Sequence, residues 1–337
     1  MRVPRATGAV LCNLLAAAIL HSPSWSQPAS TTEIAASFPV RPVQVVVPFA
    51  AGGSSDVVMR LLAQTVSKSW NQPILIDNRV GATGAIAGEF VVRQPADGYT
   101  LLNAAPTSHT ALRALRRDLP YDPTSDLTPA TLLVIAPMML VVNPKKVPAQ
   151  TVQELIAYLK QNPGKLTYAS TGIGSVAHLS MELFKILTGT ELVHVPYRGN
   201  APALTDLLAG NVDLTIDVSS SVSSHLKSGA LRSLGATTAK RTTFDPDMPT
   251  VAETVPGFEA FSWNGIVVRS GTPASIIGKV SREFSKAVQQ PEAKEALARI
   301  LMEPVGSSPE EFLELINADA ARWSRVVKAL NLNQEQK

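Results

Sequence analysis

Four segments of the chain combine residue types that can hold an anion with positions that could present them. They are Phe49-Ala50-Ala51-Gly52-Gly53-Ser54-Ser55-Asp56, Asn78-Arg79-Val80-Gly81-Ala82-Thr83-Gly84, Ser170-Thr171-Gly172-Ile173-Gly174-Ser175 and, more loosely, Pro196-Tyr197-Arg198-Gly199-Asn200. Each follows a strand-like run, is rich in Gly, Ser or Thr, and opens a helical stretch. The first N–H groups of a helix have no intrahelical partner and carry partial positive charge, so they attract anions. Glycine lets the backbone come close to a ligand. One such loop reads first as a tight turn. Four, two in each half of the chain, point to a cleft lined by backbone N–H groups, and the matching ligand is a small carboxylate. Micromolar binding needs about 8 kcal/mol, whereas a hydrogen bond to a charged group contributes roughly 1.5–3 kcal/mol. Two carboxylates, each held by two or three donors, would meet that need; one would not.

Other residues carry sharper but competing readings. Arg198 could clamp a carboxylate bidentately or make a surface ion pair. Asp217, near a strand end, could accept from a ligand hydroxyl or amine, or cap the Ser-rich segment after it. Trp263 packs a hinge or walls the cleft. His178 and Glu182 share a helix face at i, i+4, but a capping or packing histidine is preferred to a metal ligand, since no H-E-x-x-H occurs. Gly172 to Ala177 matches G-x-G-x-x-[GA], yet the next strand ends His194-Val195-Pro196-Tyr197 without an acid for a ribose. The Gly52-Gly53 loop lacks the Gly-Lys-[Ser/Thr] end of a phosphate loop, and no G-x-S-x-G elbow exists. No cofactor or metal is called for. A hydrolase on an α/β scaffold remains the alternative from another class, although no arranged nucleophile and base are visible.

Alternating strands and helices must position these loops. Val43 to Val47, Pro73 to Ile76 and Thr100 to Asn103 read as strands, with helices at Asp56 to Trp70 and Ala85 to Arg93. A second unit holds strands at Met138 to Val142, Leu166 to Ala169, Glu191 to Val195, Leu214 to Val218 and Arg232 to Ala236. Its helices follow a Thr151/Glu154 capping box and cover Val176 to Leu187, Ala201 to Leu208 and Ser220 to Lys227. A late strand, Trp263 to Val268, precedes helices only. One starts near Pro273 and runs to about Gln290. The other follows a Ser308/Glu311 box and carries Phe312, Ile316, Trp323, Val326, Val327 and Leu330 on a stripe interrupted by Asp319. This is an α/β chain in which each lobe is a mostly parallel sheet flanked by helices, with the helical tail expected to pack back on the first. The expected division is 38–137 with 263–337 in one lobe and 138–262 in the other.

Length and composition agree. The chain has 337 residues, 45% hydrophobic and 17% charged, which suits about two globular domains and excludes wholesale disorder. Lys and Arg number 30 against 27 Asp and Glu, and Arg2 and Arg5 lie in an acid-free leader, so the body is close to neutral. That charge, with 5% aromatics, gives no footprint for nucleic acid. Residues 1–26 read as a cleavable export signal: a basic start, an apolar run from Gly8 to Leu20, and Ser24-Trp25-Ser26 before the cut. The run is about 13 residues, short of the roughly 20 that span a bilayer. The single cysteine, Cys12, lies inside it, so the mature chain has neither disulfide nor thiolate.

At these loops the chain resembles Bug-type solute receptors, the extracytoplasmic component of tripartite tricarboxylate transporters. The resemblance rests on PVQVVVPFAAGGSSD from Pro42, DNRVGATGAIAG from Asp77, PADGYTLL from Pro95, YASTGIGSVAHLSMELF from Tyr168, HVPYRGNAPALTDLLAGNVDLTID from His194 and DMPTVAE from Asp247. It covers nearly the whole mature chain. It implies a two-lobed, type II-like periplasmic binding fold with the ligand cleft between the lobes. It implies capture of a small organic anion and delivery to membrane permease subunits, with no catalysis and no membrane insertion after signal cleavage. Residues implied at the ligand are Phe49 to Ser55, Thr107, Ser170 to Gly172, Gly174, Ser175, His178, Tyr197, Arg198 and Asp217. A receptor that signals instead of feeding a permease stays open. Two departures stand out: Pro106 removes an N–H after the third strand, and Thr83 stands where glycine is common.

Overall fold

β-Branched runs form the strands, and Ser, Thr and Gly positions mark where helices begin. The computed structural model describes residues 37–116 and 118–332; the export signal expected at residues 1–26 lies outside them. In chain order the elements are β1 (Val43–Val47), α1 (Ser54–Trp70), β2 (Ile74–Asn78), α2 (Ala85–Val92), β3 (Thr100–Ala104), α3 (Thr110–Leu115) and β4 (Leu127–Val142). Then come α4 (Val152–Gln161), β5 (Thr167–Ser170), α5 (Val176–Thr188), β6 (Val193–Pro196), α6 (Asn200–Ala209), β7 (Leu214–Val218), α7 (Ser219–Lys227) and β8 (Arg232–Ala236). β9 (Phe261–Arg269), α8 (Ala274–Val288), α9 (Pro291–Arg299), β10 (Glu303–Pro304) and α10 (Pro309–Ala329) complete them.

The strand order is β2-β1-β3-β9-β4-β7-β5-β6, with β8 and β10 also on β4. Within it β1 is parallel to β2 and β3, and β5 is parallel to β6 and β7. Antiparallel β9 and β4 complete the first sheet, and the second half of β4 joins the second. The parallel sets of the sequence reading are therefore built into mixed sheets. β4 is 16 residues long: Leu127 to Pro137 pair with β9, and Met138 to Val142 pair with β7 and β8. One strand thus belongs to two sheets. The sequence reading found only its last five residues, because Pro129 and Pro137 interrupt the run before them.

This register fixes where the loops go. β3 is antiparallel to β9, and β9 is antiparallel to β4, so β1, β2 and β3 run in the direction of β4, towards the second sheet. β7 is antiparallel to β4, so β5, β6 and β7 run back towards the first. The carboxyl ends of the two parallel sets face one another. β3 ends at Ala104, level through Gly265 with Leu132, and β7 ends at Val218, opposite Met138. At about 3.3 Å per residue the two ends stand roughly 20 Å apart along β4, which leaves space for loops and a small molecule. These are the two lobes and their cleft.

Each sheet is buried on both faces, as strand alternation requires. Val45 and Val47 pack with Val58, Met59 and Leu62 of α1 and Val280 and Phe284 of α8. Val46, Leu102 and Val267 pack on the other face with α2 and with Phe312 and Ile316 of α10. In the second lobe Leu140, Tyr168 and Ile216 meet α4 and α5, and Met139, Val141 and Ala169 meet α6 and α7. The tail departs from expectation. Its first half packs on the first lobe, but Trp323, Val326 and Val327 enter the core of the second, as does Ala111 of α3. Asp319 explains the break in the stripe. It is 1% exposed and accepts from Thr110 Oγ1 (2.6 Å) and Trp263 Nε1 (3.2 Å), with Arg322 3.1 Å away. Trp263 is fully buried against Phe312, which places it in packing and not on a cleft wall.

Candidate functional site

On the first lobe the loop after β1 is tied to its own helix. Asp56 sits in the first turn of α1, and its carboxylate accepts from Gly52 N–H, Asn78 Nδ2 and Arg60 Nε, each at 2.9 Å. Asn78 also donates to the Phe49 carbonyl at 3.0 Å. The Arg60 hydrogen bond, outweighing burial, holds the Asp56 pKa down at about 2. Asp56 is thus ionised and neutralised in place. Gly53 caps α1 without a side chain, so the amides of Ser54, Ser55 and Asp56 have no partner among the described residues. The amides of Ala50 and Ala51 are likewise open, and both residues are exposed. Phe49 and Gly53 are half-buried, Gly52 and Ser54 exposed, and Ser55 buried.

The loops after β2 and β3 lie beside this one. A Cβ on Gly84 would fall 2.4 Å from Ser108 Cβ and 3.3 Å from Pro48, so three strand ends meet there. Thr83 adopts φ 58°, the left-handed region, which is why glycine would suit this position. After β3, the Pro106 carbonyl accepts from Ala111 N–H at 2.8 Å, which starts α3. Thr107 is half-buried, and its amide and hydroxyl have no partner among the described residues.

On the second lobe Ser170 is 1% exposed and its Oγ lies 2.6 Å from His194 Nε2, with Gly172 N–H at 3.2 Å. Ser175 caps α5 through His178 N–H, and His178 Nδ1 in turn accepts from Gly174 N–H at 3.0 Å. The i, i+4 pair is thereby resolved: His178 braces the loop, while Glu182 accepts from Tyr168 Oη (2.5 Å) and Lys185 Nζ (2.7 Å). No group of residues able to hold a metal ion occurs among the described residues. The amides of Thr171, Ile173, Val176 and Ala177 stay open, as do those of Asn200 and Ala201 at α6, whose cap is Gly199. The loop also packs on α3, since a Cβ on Gly174 would meet Leu115 Cδ1 at 2.4 Å.

The charged candidates separate. Arg198 is exposed and has no ion pair among the described residues, so it is open to an incoming carboxylate. Asp217 is 5% exposed and accepts from Val218 N–H (2.7 Å) and from Asn200 Nδ2. Burial pushes its pKa up to about 6, with no cation to offset it. Tyr197 spends its hydroxyl on Asp206 of α6 at 2.7 Å. The Ser170–His194 contact looks like a nucleophile and its base. However, the serine is buried and no carboxylate orients the imidazole among the described residues, so the set that activates serine is incomplete. Sequence reasoning missed Asp56 as the organiser of its loop, although an acid in the first turn after Gly-Gly was visible. It missed His194 and Asn200, which only the strand pairing Tyr168↔His194 and the return of α6 onto β7 bring into place.

A sequence profile described as "Tripartite tricarboxylate transporter family receptor" matches residues 58–332. Protein BugT of Bordetella pertussis is 37% identical over 294 residues, 87% of this chain and 90% of its own. A solved structure of Rpa4515 from R. palustris with adipate is 40% identical, with a TM-score of 0.76, covering 86% of this chain and 97% of that one. MatC (Rpa3494) from Rhodopseudomonas palustris with bound malate is 34% identical, with a TM-score of 0.73, covering 86% and 100%.

Proposed function

Because this chain belongs to the tripartite tricarboxylate transporter family of receptors, we propose that it captures a small carboxylate between its two lobes in the periplasm and passes it to a membrane permease. The observation that carries the reading is the opposition of open backbone amides at the facing strand ends. Ala50, Ala51, Ser54 and Ser55 supply them on one side, and Thr171, Ile173, Asn200 and Ala201 on the other. Such a cleft suits a ligand with an anionic group at each end, one per lobe. Arg198 adds charge at the second lobe. Relatives solved with adipate and with malate, both dicarboxylates, support that class. Binding and closure require no chemistry on the ligand, and the role is capture without catalysis. The periplasmic location draws support from the leader and the family; no helix among the described residues is long and apolar enough to cross a membrane.

The test is thermal unfolding of residues 27–337 with adipate, malate, citrate and aromatic acids. A ligand at about 100 times its Kd adds about 2.7 kcal/mol, seen as a rise of several degrees. X-ray scattering on the same samples should show a smaller radius of gyration, since contacts to both lobes favour closure. No rise with any carboxylate sinks the proposal.

A further inference from the structure

Both ends of the Ser170 to Ser175 loop rest on one pair of stacked rings. His194 reaches Ser170 Oγ through Nε2 at 2.6 Å, and His178 accepts from Gly174 N–H through Nδ1 at 3.0 Å. The imidazoles lie 4.1 Å apart and 12° from parallel, and Tyr168 stacks on His194 at 4.8 Å. We propose that His178 and His194 are positioning residues, a clamp that holds this loop in its anion-accepting shape, and that solute capture requires a neutral His178. The link to capture rests on the receptor reading above.

The chemistry runs through one lone pair. Gly174 N–H needs an acceptor, and only unprotonated Nδ1 supplies it. Protonation would set two donors against each other, and Gly174 would have to leave. The surroundings oppose that charge. His178 is 4% exposed, and burial first, then its stacked partner, brings it down to about 4. Burial also lowers His194. The other charged groups acting on the pair are Glu182 and Lys185 of α5. Glu182 would favour an imidazolium, but Lys185 and the Tyr168 hydroxyl already occupy its carboxylate. Tyr168 itself stays neutral, raised by burial and by Glu182.

The experiment combines nuclear magnetic resonance with calorimetry on residues 27–337. Without ligand at pH 7, His178 should be the Nε2–H tautomer and the Gly174 amide should exchange slowly; a fast-exchanging amide or the other tautomer overturns the clamp. With saturating adipate or malate, the titration midpoint of His178 should fall by at least half a unit, because binding to the neutral form must oppose protonation. An unchanged midpoint in a loaded receptor refutes the coupling. H178A should weaken the bound acid at least ten-fold at pH 7. H178N, whose amide oxygen can accept from Gly174, should recover part of that loss and bind without the acid-linked component. Equal losses in H178A and H178N would reduce the ring to packing. If no carboxylate binds the wild type, the capture reading and the coupling fall together, while the Gly174–His178 bond is still decided by the ligand-free spectra.

Discussion

Asp217 and Asp56 are buried carboxylates with opposite electrostatics, and they make opposite predictions. Asp217 has no cation beside it among the described residues, so burial raises its pKa from the ordinary 3.8 to about 6. A raised carboxylate binds its proton more readily folded than unfolded, so its contribution is present below pH 4 and lost as pH rises through 6. D217N should abolish that loss: urea unfolding at pH 4.5 and 7.5 should show the variant gaining on the wild type by on the order of 2 kcal/mol at the higher pH. A parallel pair of profiles would refute it. Asp56 is the reverse, held at about 2 by Arg60, Gly52 and Asn78. Its stabilisation is full above about 4 and lost only as pH falls towards 2. Because Arg60 is half exposed, the ion pair itself counts for little; the buried hydrogen bonds contribute more. D56A should cost about 2–3 kcal/mol at pH 7 and little below pH 2, and should weaken carboxylate binding because Gly52 loses its tether.

Loops and helices carry the next set of expectations. Thr83 is exposed in the left-handed region, so T83G should raise stability by about 1 kcal/mol in urea melts, with no packing to lose. Ser308 and Glu311 form a reciprocal capping box at α10, and S308A should cost about 1 kcal/mol. The Ser308 box was legible from spacing alone. At Thr151 only half the pattern appears: Thr151 accepts from Glu154 N–H, while Glu154 reaches Gln150 N–H instead of its own partner. The parallel strands and their helices were readable because β-branched runs and periodic helices alternate without ambiguity. β4 before Met138 and the short α3 were not, since prolines mask the first and six residues give no periodicity for the second. The loops themselves could be picked out by glycine and serine content. What braces them could not, because Asn78 with Asp56, and His194 with Ser170, meet only through parallel pairing of distant strands.

At the scale of the molecule, β4 joins the lobes by hydrogen bonding, and α10 and α3 join them by packing. Asp319 stands between them, taking hydrogen bonds from α3 and β9, while its Arg322 partner also reaches Glu259. Removing it leaves Trp263 Nε1 without an acceptor, Thr110 Oγ1 with only the Pro106 carbonyl, and the poorly exposed Arg322 guanidinium with only Glu259. D319A should therefore destabilise by about 1–3 kcal/mol. It should also resolve calorimetric unfolding into two transitions where the wild type is expected to show one, since each lobe keeps its own core; a single shifted transition would argue against α10 as the coupling element. The crossing at β4 has another consequence. Pro137, where the chain enters the second lobe, and Phe261, where it returns, are partners in one ladder, about 5 Å apart. On the expected lobe division, the second lobe is a cassette whose boundaries almost touch. Exchange of that cassette between relatives could shuffle half-sites and so generate new ligand specificities without redrawing either fold. Such a graft must carry its own Trp323, Val326 and Val327 with it, because the last turns of the host's final helix are the cassette's floor.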